Sequence, residues 1–158
     1  MKLFIKRGCA YCDGFTVYSE KGEIVCTAEV KANTSIQIFL RDSSSALLSS
    51  MRYNTFVLNY FSIRCGKRMY VLVPCVGRHF AFAIYGSTFR FTGSLADGSF
   101  SMLNSGGETI MTQNKCWTSH GEGYELNISE DKYAVFMISV ALCADIFLAL
   151  SESDPVPT

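Results

Sequence analysis

Near the end of the chain, residues 133–150 have the sequence YAVFMISVALCADIFLAL, in which the polar side chains of Ser139 and Asp145 interrupt an apolar run. A helix built from this segment is apolar on every side, so it must be buried all round or lie in lipid. At 1.5 Å per residue, the segment would form a helix about 27 Å long. The fold therefore has to provide either an apolar enclosure or a membrane for this helix.

Several features of the segment favour burial in protein. A bilayer span needs about 20 apolar residues with few charges, whereas this run is shorter and contains Asp145. Lys132 precedes it and Glu152 and Asp154 follow it, so no basic cluster marks a cytoplasmic end. We expect a buried helix, and a membrane span over residues 133–150 is the alternative.

The rest of the chain has the pattern of short β-strands. Apolar and aromatic segments recur at intervals of 8–14 residues, separated by Gly, Asn, Asp or Ser turns. Phe15–Tyr18 and Glu23–Val30 form one such pair, and Phe56–Ile63 and Met69–Val73 form another. Twelve segments of this kind predict an antiparallel meander, which would enclose a wide lumen on closing into a barrel. The predicted fold class is therefore α+β, mostly antiparallel β, with a closed 12-stranded barrel around the C-terminal helix at about 131–150.

Composition predicts a single domain over residues 1–150 and a disordered tail over residues 151–158. The chain has 158 residues, 49% of them apolar and 18% charged, which is enough apolar material for one large core. Its seven cysteines are odd in number and scattered, unlike a disulfide framework. No secretory signal is evident at the N-terminus. We therefore expect a cytoplasmic protein with reduced thiols, with peripheral attachment to a membrane as a variant of that location.

Three stretches and their order resemble the LURP-one-related family. Phe15–Gly22 matches a segment near the start of that family's sequences, and Lys115–Leu126 resembles its Lys-Lys-Trp, aromatic, Ser, aromatic, Gly segment. Ala141–Phe147 resembles its closing helix. Phe89 stands where the family usually has Trp, and the 8–14 loop carries two cysteines, which could alter a surface site without threatening the fold. The resemblance covers about residues 2–150.

The resemblance implies the tubby C-terminal-like fold, which phospholipid scramblases share. Tubby-like domains bind phosphoinositides on basic strand residues, so the family likeness suggests an anionic phospholipid as partner, by analogy of fold alone. It equally leaves open a membrane-inserted, scramblase-like protein that uses helix 133–150. A protein–protein interaction domain with no lipid role is a further alternative.

Charge is distributed unevenly along the chain. Residues 1–90 carry 12 Lys or Arg against 5 Asp or Glu, whereas residues 91–158 carry 2 against 9. Arg64, Lys67 and Arg68 crowd one predicted turn, and Arg78 begins the next strand with His79. These four cations are the candidate site for an anionic headgroup, because Arg offers bidentate geometry and Lys a point charge. A solvated turn with no ligand is the other interpretation. Nucleic acid is not an expected partner, because net charge is zero and no recognition motif occurs.

Catalytic chemistry has little support in the sequence. Cys9 and Cys12 form a CxxC pair, but zinc would need two further ligands that the neighbouring sequence does not supply. No serine elbow or phosphate loop occurs. We therefore expect a non-enzymatic protein without metal or cofactor. Asp145 must be paired inside the core, and an Arg or a backbone amide is the expected structural partner.

Overall fold

A computed structural model of the chain describes residues 1–75, 81–119 and 121–153. Twelve strands and one long helix occur within these ranges. The strands are β1 Lys2–Arg7, β2 Phe15–Ser19, β3 Ile24–Ala32, β4 Ile36–Asp42, β5 Leu47–Asn54, β6 Tyr60–Cys65, β7 Arg68–Cys75, β8 Ala81–Tyr85, β9 Arg90–Ser94, β10 Ser99–Leu103, β11 Thr109–Thr118 and β12 Gly121–Ile128. Short 3₁₀ turns lie at Tyr11–Asp13 and Asp131–Tyr133, and helix α1 is Ala134–Ser153.

The strands form one antiparallel sheet in which strands consecutive in sequence pair with each other, except β8 and β9, and β1 also pairs with β12. The sheet order is β8-β7-β6-β5-β4-β3-β2-β1-β12-β11-β10-β9, so β1 and β12 close the ring at the chain's ends. No hydrogen-bonded ladder joins β8 to β9 in the described residues, and a seam remains there. Phe82 and Phe91 meet across this seam with ring centroids 5.8 Å apart. The predicted 12-stranded barrel is confirmed, with side-chain packing in place of backbone pairing at this one junction.

Helix α1 fills the barrel. Every residue from Phe136 to Phe147 is buried, including Ser139 and Asp145. The inward faces of the strands contribute alternate apolar residues such as Ile38 and Leu40 on β4, which is the period-two pattern of a half-buried strand. By length and hydropathy, Asp131–Ser151 could span a membrane, but 61% of its most apolar window is buried inside the barrel. The expectation of a buried helix is therefore confirmed.

The helix gives the barrel two distinguishable ends. Near its start, Phe136 contacts Tyr70 with ring centroids 4.3 Å apart, and near its end Phe147 lies 5.8 Å from Phe82. We call the first the N-terminal mouth and the second the C-terminal mouth. Because consecutive antiparallel strands alternate direction, the β6–β7 turn lies at the N-terminal mouth, and the β3–β4 and β5–β6 connections lie at the C-terminal mouth.

The largest differences from the predicted boundaries are at the β5–β6 loop, the β11–β12 hairpin and the end of α1. Residues 56–59, expected to begin a strand at Phe56, form an exposed loop, and β6 begins at Tyr60. The sequence pattern predicts one strand over Thr109–Asn114 and another from Tyr124, whereas β11 continues to Thr118 and β12 already begins at Gly121. Helix α1 continues to Ser153, so residues 151–153 of the expected tail are helical; residues 154–158 lie outside the described ranges.

Candidate anion-binding surface

Four cationic side chains lie on the outer face of four consecutive strands. Lys31 is on β3, Arg41 on β4, Arg52 on β5 and Arg64 on β6. Each alternates along its strand with residues whose side chains are buried in the core, so it faces away from the barrel interior. The buried neighbours are Ala28, Leu40, Met51 and Ile63. We call Lys31, Arg41, Arg52 and Arg64, together with Phe39 between them, the outer basic face.

Strand register places Lys31, Arg52, Phe39 and Arg64 in two adjoining rows, and Arg41 in the row after them. Gln37 on β4 lies opposite both Lys31 and Arg52, which puts the two cations in one row across three strands. Ser50 on β5 lies opposite both Phe39 and Arg64, which defines the next row. Neighbouring strands are about 4.8 Å apart, so side chains from β3 to β6 can reach one ligand.

Phe39 organises two of the cations. The Nζ of Lys31 lies 5.4 Å from the centre of the Phe39 ring, and the Cζ of Arg41 lies 6.0 Å from it. Cations in these positions are attracted by the ring quadrupole. The Phe39 ring therefore holds Lys31 and Arg41 near the strand surface without neutralising their charge.

Carboxylates are scarce around the outer basic face. Within the described ranges, none of its four cations forms an ion pair with Asp or Glu; the ion pairs there involve Lys2, Arg7 and Lys132. Glu29, opposite Phe39, is the acidic side chain on this face. In the sequence, residues 43–96 contain no Asp or Glu at all, while they contain the cations Arg52, Arg64, Lys67, Arg68, Arg78 and Arg90. Such an excess of one sign produces a positive potential that attracts anions.

A shallow groove of about 270 Å³ runs across β4 to β7 beside these cations. Its lining includes Phe39, Ser50, Arg52, Ser62, Arg64 and Met69. Guanidinium groups provide paired N–H donors for phosphate oxygens, and serine hydroxyls provide further donors. The groove therefore presents hydrogen-bond donors suited to an anion on the side of the barrel.

The structure separates the cations that the sequence grouped together. Arg64 lies on the outer basic face, Lys67 is exposed in the β6–β7 turn, and Arg68 points to the N-terminal mouth. There Arg68 shares a cavity of about 660 Å³ with Lys132, whose pKa is raised by its hydrogen bond to Glu130. Arg78 and the neighbouring His79 lie outside the described residues.

Sequence reasoning did not identify Lys31, Arg41 and Arg52. They come from separate strands, so only the register brings them together. A signal was nevertheless available: Arg41 and Phe39 alternate with Leu40 and Ile38, which marks both as outward-facing residues of one strand.

A second polar cluster lies at the C-terminal mouth, around Asp145. The Tyr124 hydroxyl donates a hydrogen bond of 2.8 Å to Asp145 Oδ1, and Arg7 Nη1 lies 3.4 Å from Asp145 Oδ2. The predicted pairing of Asp145 with an arginine is therefore confirmed. Burial and the negative charge of Asp145 raise the pKa of Tyr124 well above its usual range. An adjacent cavity of about 320 Å³ is also lined by Lys115 and Glu122, so charges of both signs face it.

The cysteines provide no metal centre in the part of the chain that the structure describes. Cys9 and Cys12 are exposed beside the first 3₁₀ turn, and no group of three or more His, Cys, Asp or Glu side chains that could hold a metal ion occurs in those ranges. Burial, with a smaller contribution from Asp42, raises the pKa of the Cys26 thiol to about 11. Burial also raises the pKa of Cys143. These two buried thiols therefore remain protonated at neutral pH and are poor nucleophiles.

Comparison with known proteins identifies the family. A model of the LURP-one-related family matches residues 1–145, which includes every strand and more than half of α1. The chain belongs to the LURP-one-related family. A search of curated proteins finds no match. The LURP-one-related barrel is also similar to an X-ray structure of a protein from Arabidopsis thaliana, with a TM-score of 0.67 and 12% identity over 92% of this chain and 90% of that one. At this identity the likeness establishes the fold alone.

Proposed function

We propose that this LURP-one-related domain is a non-catalytic module that binds anionic phospholipid headgroups, such as phosphoinositides, at the outer basic face. The observation that carries the proposal is the arrangement of Lys31, Arg41, Arg52 and Arg64 around Phe39 without carboxylate partners among the described residues. The resemblance to tubby-like domains, which use basic strand residues for phosphoinositides, supports it as an analogy of fold.

Energetics make the proposal reasonable. A Lys or Arg near an anionic leaflet contributes about 1 kcal/mol, so four cations contribute about 4 kcal/mol. The attraction falls off over about 8 Å at physiological ionic strength, which makes binding sensitive to salt. The groove donors from Ser50 and Ser62 add specificity for phosphate oxygens over a diffuse negative surface.

The proposal involves no catalytic step and no cofactor. The buried thiols of Cys26 and Cys143 are protonated, and the charges of Arg7 and Asp145 satisfy each other. A domain of this kind would act in the cytoplasm at the surface of a membrane. Use of α1 as a membrane span, as in the scramblase-like alternative, would require the barrel to release a helix whose residues 136–147 are all buried. The packing therefore favours a headgroup-binding role.

Liposome flotation of detergent-free protein tests the proposal. We expect binding to vesicles with phosphatidylserine or phosphatidylinositol bisphosphate, no binding to phosphatidylcholine, and release at high salt. Arg52→Gln/Arg64→Gln should weaken binding about 30-fold, since it removes two of the four cations. The control Lys21→Gln/Arg90→Gln removes the same charge from exposed positions outside the outer basic face and should have a much smaller effect.

Other outcomes would redirect the assignment. Equal losses in the two double variants would mean that only net charge matters, which contradicts a defined site. A larger loss in Lys67→Gln/Arg68→Gln would move the anion to the N-terminal mouth. If the folded wild-type protein binds no vesicles, the lipid role is wrong and a protein–protein interaction domain becomes the better description.

A further inference from the structure

The β5–β6 loop, residues 55–59, carries an unusual set of exposed side chains. Phe56 is 100% exposed, Val57 88% and Leu58 57%. Three consecutive apolar side chains with this exposure have no partner of their own within the fold and mark an interaction site. We call residues 55–59 the apolar loop.

We propose that the apolar loop inserts into the interfacial layer of an anionic bilayer and so fixes the orientation in which the barrel docks. This inference rests on the headgroup-binding function proposed above. The apolar loop adds an apolar contact with the bilayer to the ionic contact of the outer basic face. This second contact orients the C-terminal mouth toward the membrane.

The charge around the apolar loop favours lipid over other apolar partners. The segment from Tyr53 to Ile63 contains no charged side chain, so no carboxylate opposes an approach to an anionic leaflet. Tyr53 and Tyr60 flank the loop and are half-buried. Tyrosine is enriched where membrane meets water, because its ring is apolar and its hydroxyl is polar.

The outer basic face adjoins the apolar loop. Arg52 lies on β5 three residues before Thr55, and Lys31 lies in the same row, close to the β3–β4 turn at the same end of the barrel. Arg64 lies in the next row, two residues farther from the loop along β6 than Ser62, which is opposite Arg52. At 3.4 Å per residue, Arg64 is about 7 Å farther from the apolar loop than Arg52 is. This distance remains within the reach of electrostatic attraction to the headgroups. Insertion of the loop therefore brings Lys31 and Arg52 to headgroup depth and keeps Arg64 within electrostatic reach, whereas Arg41 lies two rows away from Lys31 and Arg52 and farther from the bilayer.

A single-tryptophan reporter tests insertion. Trp117 is the chain's one tryptophan and is 82% exposed, so Trp117→Phe provides a silent background. In that background, Phe56→Trp should show a blue-shifted emission and quenching by brominated lipid when anionic vesicles are added. Leu47→Trp lies at the opposite end of β5 and is the control; its emission should not change.

Removal of the apolar side chains gives an independent measurement. Phe56→Ser/Val57→Ser/Leu58→Ser should weaken vesicle binding at least about tenfold, since the buried apolar area is lost. Ile24→Ser/Val25→Ser/Leu47→Ser changes three other exposed apolar residues at the far end of the barrel and should bind as wild type does. Thermal unfolding of both triple variants checks that each is folded.

The outcomes separate the two proposals. If the loop variant binds like wild type and the Phe56→Trp emission is unchanged, insertion is wrong while headgroup binding stands. If the loop variant loses binding but Arg52→Gln/Arg64→Gln keeps it, insertion stands and the outer basic face is not the headgroup site. If the wild-type protein binds no vesicles, both proposals are overturned. A wild-type dimer that the loop variant abolishes would assign the loop to a second copy and contradict insertion.

Discussion

Arg7 and Asp145 connect the first strand of the barrel to the second half of the helix inside it. Arg7 Nη1 lies 3.4 Å from Asp145 Oδ2 across a sequence separation that spans nearly the whole chain. The second carboxylate oxygen accepts the 2.8 Å hydrogen bond from Tyr124 on β12. Because β1 and β12 are neighbours in the ring, this cluster ties the closure of the sheet to the position of α1.

Removal of the Tyr124 hydroxyl should therefore weaken the fold. Tyr124→Phe is expected to lower the free energy of unfolding by about 1.5–3 kcal/mol, the range for a hydrogen bond to a charged group. In an Asp145→Asn background the same change should cost less, because the acceptor no longer carries a full charge. Urea unfolding of the four proteins gives the coupling energy, and additive effects would show that the two groups do not act together.

Alkaline conditions should destabilise the protein in two steps. The pKa of Cys26 is raised from 9.0 to about 11, so between these values the unfolded chain loses a proton that the folded chain keeps. This contribution to stability is fully present below pH 9 and is lost as pH rises to about 11. Tyr124 acts in the same direction, starting near pH 10.

Cys143 contributes in the same window as Cys26, since burial also raises its pKa; the substitutions Cys26→Ala and Tyr124→Phe each remove one contribution. Each should make unfolding free energy depend less steeply on pH in its own window, although each also lowers stability at neutral pH. Denaturant unfolding measured from neutral pH to pH 11 checks this. A slope that is the same in wild type and Cys26→Ala would contradict the assignment of the lower window to Cys26.

A buried serine pair should respond asymmetrically to substitution. Ser139 Oγ donates to the carbonyl oxygen of Val135 at 2.7 Å, and the hydroxyls of Ser49 and Ser139 are also 2.7 Å apart. Because Ser139 uses its hydroxyl proton in the hydrogen bond to the Val135 carbonyl, Ser49 must be the donor in the hydrogen bond between the two hydroxyls. Ser139→Ala then leaves the buried Ser49 donor without this acceptor and should cost about 1–3 kcal/mol.

Ser49→Ala provides the matched comparison, because Ser139 keeps its bond to Val135. Its cost should be smaller, about 1 kcal/mol. The double alanine variant should be little worse than Ser139→Ala alone, since no orphaned hydroxyl remains. Thermal unfolding of the three variants tests this order, and a greater loss for Ser49→Ala would mean that the proton is placed the other way round.

The fold was predictable because its determinants are local. The apolar helix requires an enclosure, and alternation within each strand, as in Ile38 to Leu40, provides the inward face. The surface was less predictable because it depends on register: Lys31 and Arg52 share a row only through Gln37 on the strand between them. Arg64 and Arg68 are close in sequence but face different surfaces, because Arg64 alternates with buried Ile63 while Arg68 has the same parity as buried Tyr70.

The apolar loop shows how tertiary structure overrides propensity. Phe56 and Val57 favour strands intrinsically, which is why a strand was predicted from Phe56. Asn54 pairs with Tyr60, so the residues between them must form the connection regardless of preference. The seam at Phe82 and Phe91 was likewise beyond sequence reasoning, because a strand pattern does not reveal which edges of a sheet stay unpaired.

Two glycines with left-handed backbones should differ in their tolerance of a side chain. Gly86 has φ of 96° and Gly22 has φ of 81°, so alanine is strained at both by about 1–2 kcal/mol. A Cβ at Gly86 would also lie 2.6 Å from the carbonyl oxygen of Met69 and 3.3 Å from Tyr70 Cα, whereas nothing lies within 4 Å at Gly22.

Gly86→Ala should therefore destabilise the protein clearly more than Gly22→Ala, because backbone atoms of β7 cannot move aside as a flexible side chain could. The β7–β8 hairpin would have to shift, and Tyr70, which packs against Phe136 of α1, would shift with it. Thermal unfolding of the two variants gives the comparison. Equal losses would show that left-handed strain alone sets the cost and that the hairpin yields to the added carbon without disturbing the helix.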